Sequence, residues 1–147
     1  MTIKLTKIAL ALGLLLFPLA CAGDSGSALT GAWRMSSLEV GAEPGSLRPV
    51  PYTGEIVFTE RGTMSVQAMN PDSAAPPTPY TVNGYEAFYG PVTIDEANGS
   101  FVVTVESSLV RGMIGQRLER RFEVSGQRLI LTPANPREGF RATYERD

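Results

Sequence analysis

The residues able to do chemistry in this chain are few, and their types set limits at once. None of the 147 residues is a histidine, so the commonest general base and biological metal ligand is missing. Neither a Ser-His-Asp nor a Cys-His arrangement can be assembled, and no zinc site of His and Cys can form. The lysines, Lys4 and Lys7, and the single cysteine, Cys21, all lie near the start of the chain. Beyond them only Asp, Glu, Tyr and Arg carry ionisable groups. Carboxylate pairs support acid–base work, but no spacing singles one out, and Glu86 with Asp95 is a pair only on paper. The expectation is therefore no catalytic residue, no metal and no cofactor, with Tyr, Arg and carboxylate chemistry left open. Arg120 stands apart. Leu118, Arg120, Phe122 and Val124 alternate with Arg117, Glu119, Arg121 and Glu123, which on a strand places Arg120 on the apolar face. An unpaired buried charge is expensive. Arg120 is thus expected in a structural ion pair with Glu55 or Glu106, at a register slip near a bulge, or as an anion hook inside an apolar pocket, gripping a head group such as a fatty-acid carboxylate.

Cys21 belongs to a different chemistry. Lys4 and Lys7 precede an apolar run over residues 8–20, which ends Pro18-Leu19-Ala20-Cys21. A cationic segment, an apolar segment and then small residues form an export signal. The run is shorter than the roughly 20 residues of a membrane span. The end of the run resembles the lipobox of bacterial lipoproteins, in which the cysteine is acylated and becomes the first mature residue. Leu19 stands two places before the cysteine, where lipoboxes prefer Leu three before, and Ala20 fits. A lone cysteine in an exported protein has no internal disulfide partner, and acylation with chains such as palmitate would give it a use. Two or more chains hold a membrane firmly, whereas one does so marginally. Residues 22–28, Ala-Gly-Asp-Ser-Gly-Ser-Ala, read as a flexible tether. The resemblance implies a signal peptide at 1–20, acylated Cys21 with its tether to residue 28, and a membrane partner through Cys21. Asp24 is not adjacent to the cysteine, so in a host with two membranes the expected place is the outer one, facing the periplasm.

Without residues 1–20 the basic residues are all arginine, and the formal charge is acidic. The cluster Arg117, Arg120 and Arg121 is interleaved with Glu119 and Glu123, so no basic patch for nucleic acid is expected. The remaining length suits one domain, placed at 29–147.

The elements that must position these side chains are short runs rich in Val, Ile, Phe, Tyr and Thr, broken by Gly and turn residues. That is an antiparallel β pattern. Eight strands are predicted, at 31–40, 54–59, 63–69, 88–94, 100–107, 116–124, 127–132 and 140–146. Asn98-Gly99 reads as a hairpin turn. The proline-rich stretches 41–51 and 70–79 read as loops kept out of the ladder, and 82–86 as a short helical turn. Met64, Val66 and Ala68, Ile56 and Phe58, Phe101, Val103 and Val105, and Leu129 and Leu131 form apolar faces. Eight one-sided strands can close into a barrel with no free edge, whose interior is filled or holds one small ligand.

With these pieces in place, Gly31-Ala32-Trp33 resembles the Gly-x-Trp of lipocalins. More specifically, the domain resembles the bacterial lipocalin-like family, through TGAWRMSSLE, GEIVFTERGTMSVQAM, YEAFYGPVTIDEANGSF, GQRLERRFEVSGQRLILTP and the closing YER. Many members carry a histidine near positions 103 or 104, where this chain has Val103 and Thr104. The resemblance implies an eight-stranded antiparallel up-and-down barrel with an internal pocket, and no reaction. Trp33 is expected to plug the closed end with Arg146 stacked on it, or else to line a ligand. The candidate ligand-binding residues are Arg120, Phe88, Tyr89, Phe101, Val103, Phe122 and Met64. Tyr52, Tyr80 and Tyr85 stand in or beside the loops with Phe88 and Tyr89, either ringing a mouth or serving as ordinary strand residues. The expected function is binding or carriage of a small hydrophobic or amphipathic molecule at the membrane surface. The alternative is a filled barrel that acts as a structural or interaction module of the cell envelope.

Overall fold

Trp33, Leu29, Phe58 and Leu129 lose essentially all contact with solvent, and the ladder is built around them. The structure, a computed structural model, describes residues 26–42 and 45–146. The expected signal peptide, Cys21 and most of the expected tether lie outside the described residues.

Ten strands form, in the order β1 (Gly31–Val40), β2 (Arg48–Val50), β3 (Thr53–Phe58), β4 (Thr63–Met69), β5 (Tyr85–Asp95), β6 (Ser100–Thr104), β7 (Ser107–Ser108), β8 (Arg117–Ser125), β9 (Arg128–Pro133) and β10 (Phe140–Glu145). Eight of them close an all-antiparallel ring, β1-β3-β4-β5-β6-β8-β9-β10 and back to β1. This is the eight-stranded antiparallel barrel that the alternation predicts, consistent with a lipocalin-like barrel. β2 and β7 are short additions on β1 and β5. Two 3-10 turns, Arg111–Met113 and Pro136–Glu138, are the helical pieces among the described residues. The ring closes within Gly31–Glu145, and Leu29, buried just ahead of it, completes the core, so residues 29–145 carry their own ladder and core.

The inward residues follow the two-residue period of a strand. Met64, Val66 and Ala68 on β4, Phe101 and Val103 on β6, and Leu118, Arg120 and Phe122 on β8 are buried. β1 departs from strict alternation. Its register on β10 slips between Met35 and Ser37, leaving Ser36 as an extra residue whose hydroxyl donates to the Thr143 carbonyl oxygen at 3.3 Å. The bulge flips the parity of the strand. Trp33 and Met35 face inward before it, and Leu38, opposite buried Ala142, faces inward after it.

Three predicted elements differ. Residues 48–50 join the ladder despite Pro49, because β2 is paired on one side only and proline is tolerated at such an edge. The 82–86 stretch is no helical turn. Val82 and Tyr85 form an isolated bridge around Asn83 and Gly84, both at positive φ, 50° and 79°, and β5 starts directly afterwards. The predicted strand 100–107 is split, since β6 ends at Thr104 and β7 covers Ser107–Ser108. Among the described residues, barrel contacts reach back to Ser27, whose hydroxyl bonds Glu96 Oε1 together with the Ala28 N–H.

Candidate functional site

One end of the barrel is packed shut. Trp33 is 0% exposed, and its Nε1–H donates to the Leu29 carbonyl at 2.7 Å. The Arg146 guanidinium lies 4.1 Å from the indole centroid, and its Nη1 donates to the carbonyls of Thr30 at 3.1 Å and Ala28 at 3.4 Å. Phe58 meets Phe101 edge-on at 5.3 Å. Trp33 is therefore part of this plug, absent from the cavity wall.

The other end holds a cavity of about 760 Å³, within the roughly 300–1,000 Å³ range of small-molecule sites. Met35, Leu38, Ile56, Val66, Phe88 and Leu131 give it apolar walls, and Met64, Phe101 and Val103 also line it. The proline-rich segment Ala75–Thr81 lies against its mouth. Asn70 is buried and its Oδ1 accepts the Asp72 N–H at 3.0 Å, while Asp72 Oδ1 accepts the Ala74 N–H at 2.9 Å. These turns steer the chain back over the opening.

Arg120 enters the cavity from β8, opposite Phe101 and Pro133. Its partner is neither Glu55 nor Glu106, both exposed, but Glu138. Arg120 Nη2 stands 3.0 Å from Glu138 Oε2, Nη1 donates to the Glu119 carbonyl at 2.9 Å, and the guanidinium sits 5.2 Å over the Phe140 ring. Tyr80 OH donates to the same Glu138 oxygen at 2.8 Å, so the mouth segment, the 136–138 turn and β8 are tied together. Burial and this bond to Glu138 raise the Tyr80 pKa. The reason for the change of partner lies in the connection after β9. Asn135 caps the turn by accepting the Arg137 N–H, and the turn carries Glu138 back onto the barrel mouth.

Glu86 is the second acidic group of the cavity wall. It lies opposite buried Ala68, and burial pushes its carboxyl up to about 7, the Arg120 charge opposing. Burial, then the negative charge of Glu86, raise Tyr52 and Tyr144 as well. The paper pair of Glu86 with Asp95 is not formed: the two occupy opposite ends of β5. Asp95 instead caps its turn, accepting from the Asn98 backbone and side chain.

The sequence-predicted set therefore divides. Arg120, Phe88, Phe101, Val103 and Met64 line the cavity. Tyr89 does not: strand parity turns it outward, and it is 41% exposed. Phe122 faces inward and is buried but does not line the cavity, packing with its ring 6.4 Å from that of Phe101. Of the loop tyrosines, Tyr52 and Tyr80 line the cavity, while Tyr85 faces out and donates to Gln67 Oε1. Sequence reasoning weighed Glu86 only as a partner of Asp95 and missed Glu138 altogether. The Asn83-Gly84 pair signals a hairpin that starts β5 at Tyr85, and the strand parity then sends Glu86 inward with Phe88. For Glu138 the only local signal is Asn135-Pro136, a cap followed by a turn start. Among the described residues no three acidic side chains gather to hold a metal.

No family model matches the chain, and no curated protein matches it. Among solved structures, that of an uncharacterized protein from Bacteroides eggerthii DSM 20697 is similar. It is 16% identical, with a TM-score of 0.48, and the match covers 80% of this chain and 99% of that one.

Proposed function

We propose that this protein is an exported lipoprotein, held at a membrane by an acylated Cys21, whose barrel binds a small hydrophobic or amphipathic molecule. The observation that carries the binding is the cavity of about 760 Å³, apolar over most of its wall and polar at a few converging groups. A barrel meant only as a scaffold would fill this space with side chains. The export and anchoring rest on Lys4, Lys7, the apolar run over 8–20 and Ala20-Cys21. In a host with two membranes the anchor is placed in the outer one, facing the periplasm.

Native mass spectrometry of the protein purified from its own host tests the binding. The expected result is an extra, reproducible mass that organic solvent removes. A clean apo mass, with no uptake of offered amphiphiles, overturns it. Acylation is read in the same preparation as a mass increase on the peptide that begins at Cys21, and an unmodified thiol there overturns the anchor.

A further inference from the structure

The cavity wall carries two carboxylates and one guanidinium, and the guanidinium is already engaged. Arg120 binds Glu138 Oε2 and the Glu119 carbonyl, and Tyr80 adds a third interaction at the same Glu138 oxygen. Glu86 is in a different condition. Among the described residues no hydrogen bond or ion pair reaches its carboxylate. The groups that face it are Tyr52 ahead of β3, Asn70 after β4, Tyr144 on β10 and Arg120 on β8, with Glu138 and Tyr80 beyond the guanidinium. Glu86 is half-buried, and among the described residues no buried side-chain oxygen or nitrogen lacks a partner, so its unpaired carboxylate opens onto the cavity, where a ligand can reach it. Partial withdrawal from water raises its pKa to about 7, the Arg120 charge opposing.

Position supplies the second half. Glu86 is the second residue of β5, next to the segment that covers the mouth. Deeper along the same face come Phe88 and its partner Val66, then Met64. A tail seated on those side chains leaves a head group level with Glu86. Once Arg120 and Glu138 cancel, the formal charge remaining on the cavity wall is the negative one of Glu86. A carboxylate head group would meet both acids, whereas an ammonium would give Glu86 the partner it lacks.

We propose, resting on the ligand-binding reading above, that Glu86 takes the ammonium group of an amine-bearing amphiphile and that the barrel selects such amines over fatty acids. Binding of the ammonium favours the ionised carboxylate, so below neutral pH the Glu86 proton passes to the buffer as the amine enters.

Isothermal titration calorimetry on residues 22–147, which contain the closed ring, tests this with dodecylamine, dodecanol and dodecanoic acid below their micellar concentrations. At about pH 8 the amine is expected to bind at least about tenfold tighter than the acid. Between about pH 8 and about pH 6 amine affinity is expected to fall about tenfold, following ionisation of Glu86. Proton release at the lower pH is read from buffers of different ionisation heat. Glu86→Gln is expected to bring the amine-to-alcohol affinity ratio near one and to abolish the proton release. Glu138→Gln, which frees Arg120, is expected to raise acid affinity while the proton release on amine binding persists. Acid binding as tight as amine binding, or an amine preference that survives Glu86→Gln, overturns the inference and leaves the pocket reading standing. Failure of all three probes to bind overturns the pocket reading and this inference with it.

Discussion

Trp33 is held in three ways at once: by burial, by the bond from its indole N–H to Leu29, and by the Arg146 guanidinium over its face. Trp33→Ala is expected to cost about 3–5 kcal/mol, as truncation of a buried aromatic does. Arg146→Met should cost less, about 0.5–2 kcal/mol. Denaturant unfolding of the two variants checks the order, and equal losses would contradict it. Glu86 makes an opposite prediction. Its pKa is raised in the folded state, to about 7, so the native protein holds a proton that the unfolded chain has lost at the ordinary carboxylate value. Stability should therefore fall as pH rises from about 4.5 to about 7, by up to about 3 kcal/mol, and level off above that. Melting curves across this range should show the slope, and Glu86→Gln should flatten it. A wild-type curve with no such fall would place the carboxylate in water. At this scale the inward turn of Arg120 was legible, because Leu118 and Phe122 flank it at strand spacing. Its partner was not, because Glu138 reaches it through a turn that no periodicity describes.

The elements decide which of these side chains meet. Most strands could be read from alternation, and the ring from their number and one-sidedness. Three departures were not readable that way. The bulge at Ser36 reverses the parity of β1 and brings Leu38 to the cavity. The Asn83-Gly84 turn lengthens β5 and with it the wall that carries Glu86. The 136–138 turn ends at Gly139, with φ of 54°, where an added Cβ would fall on the Gly41 carbonyl oxygen. Gly41 N–H also donates to the Gly139 carbonyl at 2.8 Å, so the two backbones are in direct contact beside the mouth. Gly139→Ala is expected to cost at least about 1–3 kcal/mol and to loosen Glu138 from Arg120. Thermal denaturation measures the loss. A Gly139→Ala variant that melts like the parent would show that the turn is free to move.

On the scale of the molecule, the two ends of the barrel do different work. The Trp33 end is closed by interlocked aromatic rings and an arginine, and the opposite end keeps a cavity beneath a proline-rich segment pinned through Tyr80, Glu138 and Arg120. The closed ring of eight strands has no free edge of its own, and the only single-sided strands among the described residues are the short additions β2 and β7, so the interior is the main surface the barrel offers a ligand. The methionines offer a direct view of whether it does. Met35 and Met64 line the cavity, Met113 is buried away from its wall, and Met69 faces solvent. Methyl NMR spectra of residues 22–147, labelled at methionine and titrated with dodecanol or dodecylamine, separate these positions. The cavity reading predicts saturable shifts of Met35 and Met64 with Met69 unmoved. Shifts confined to Met69, or none at any methionine, would contradict it.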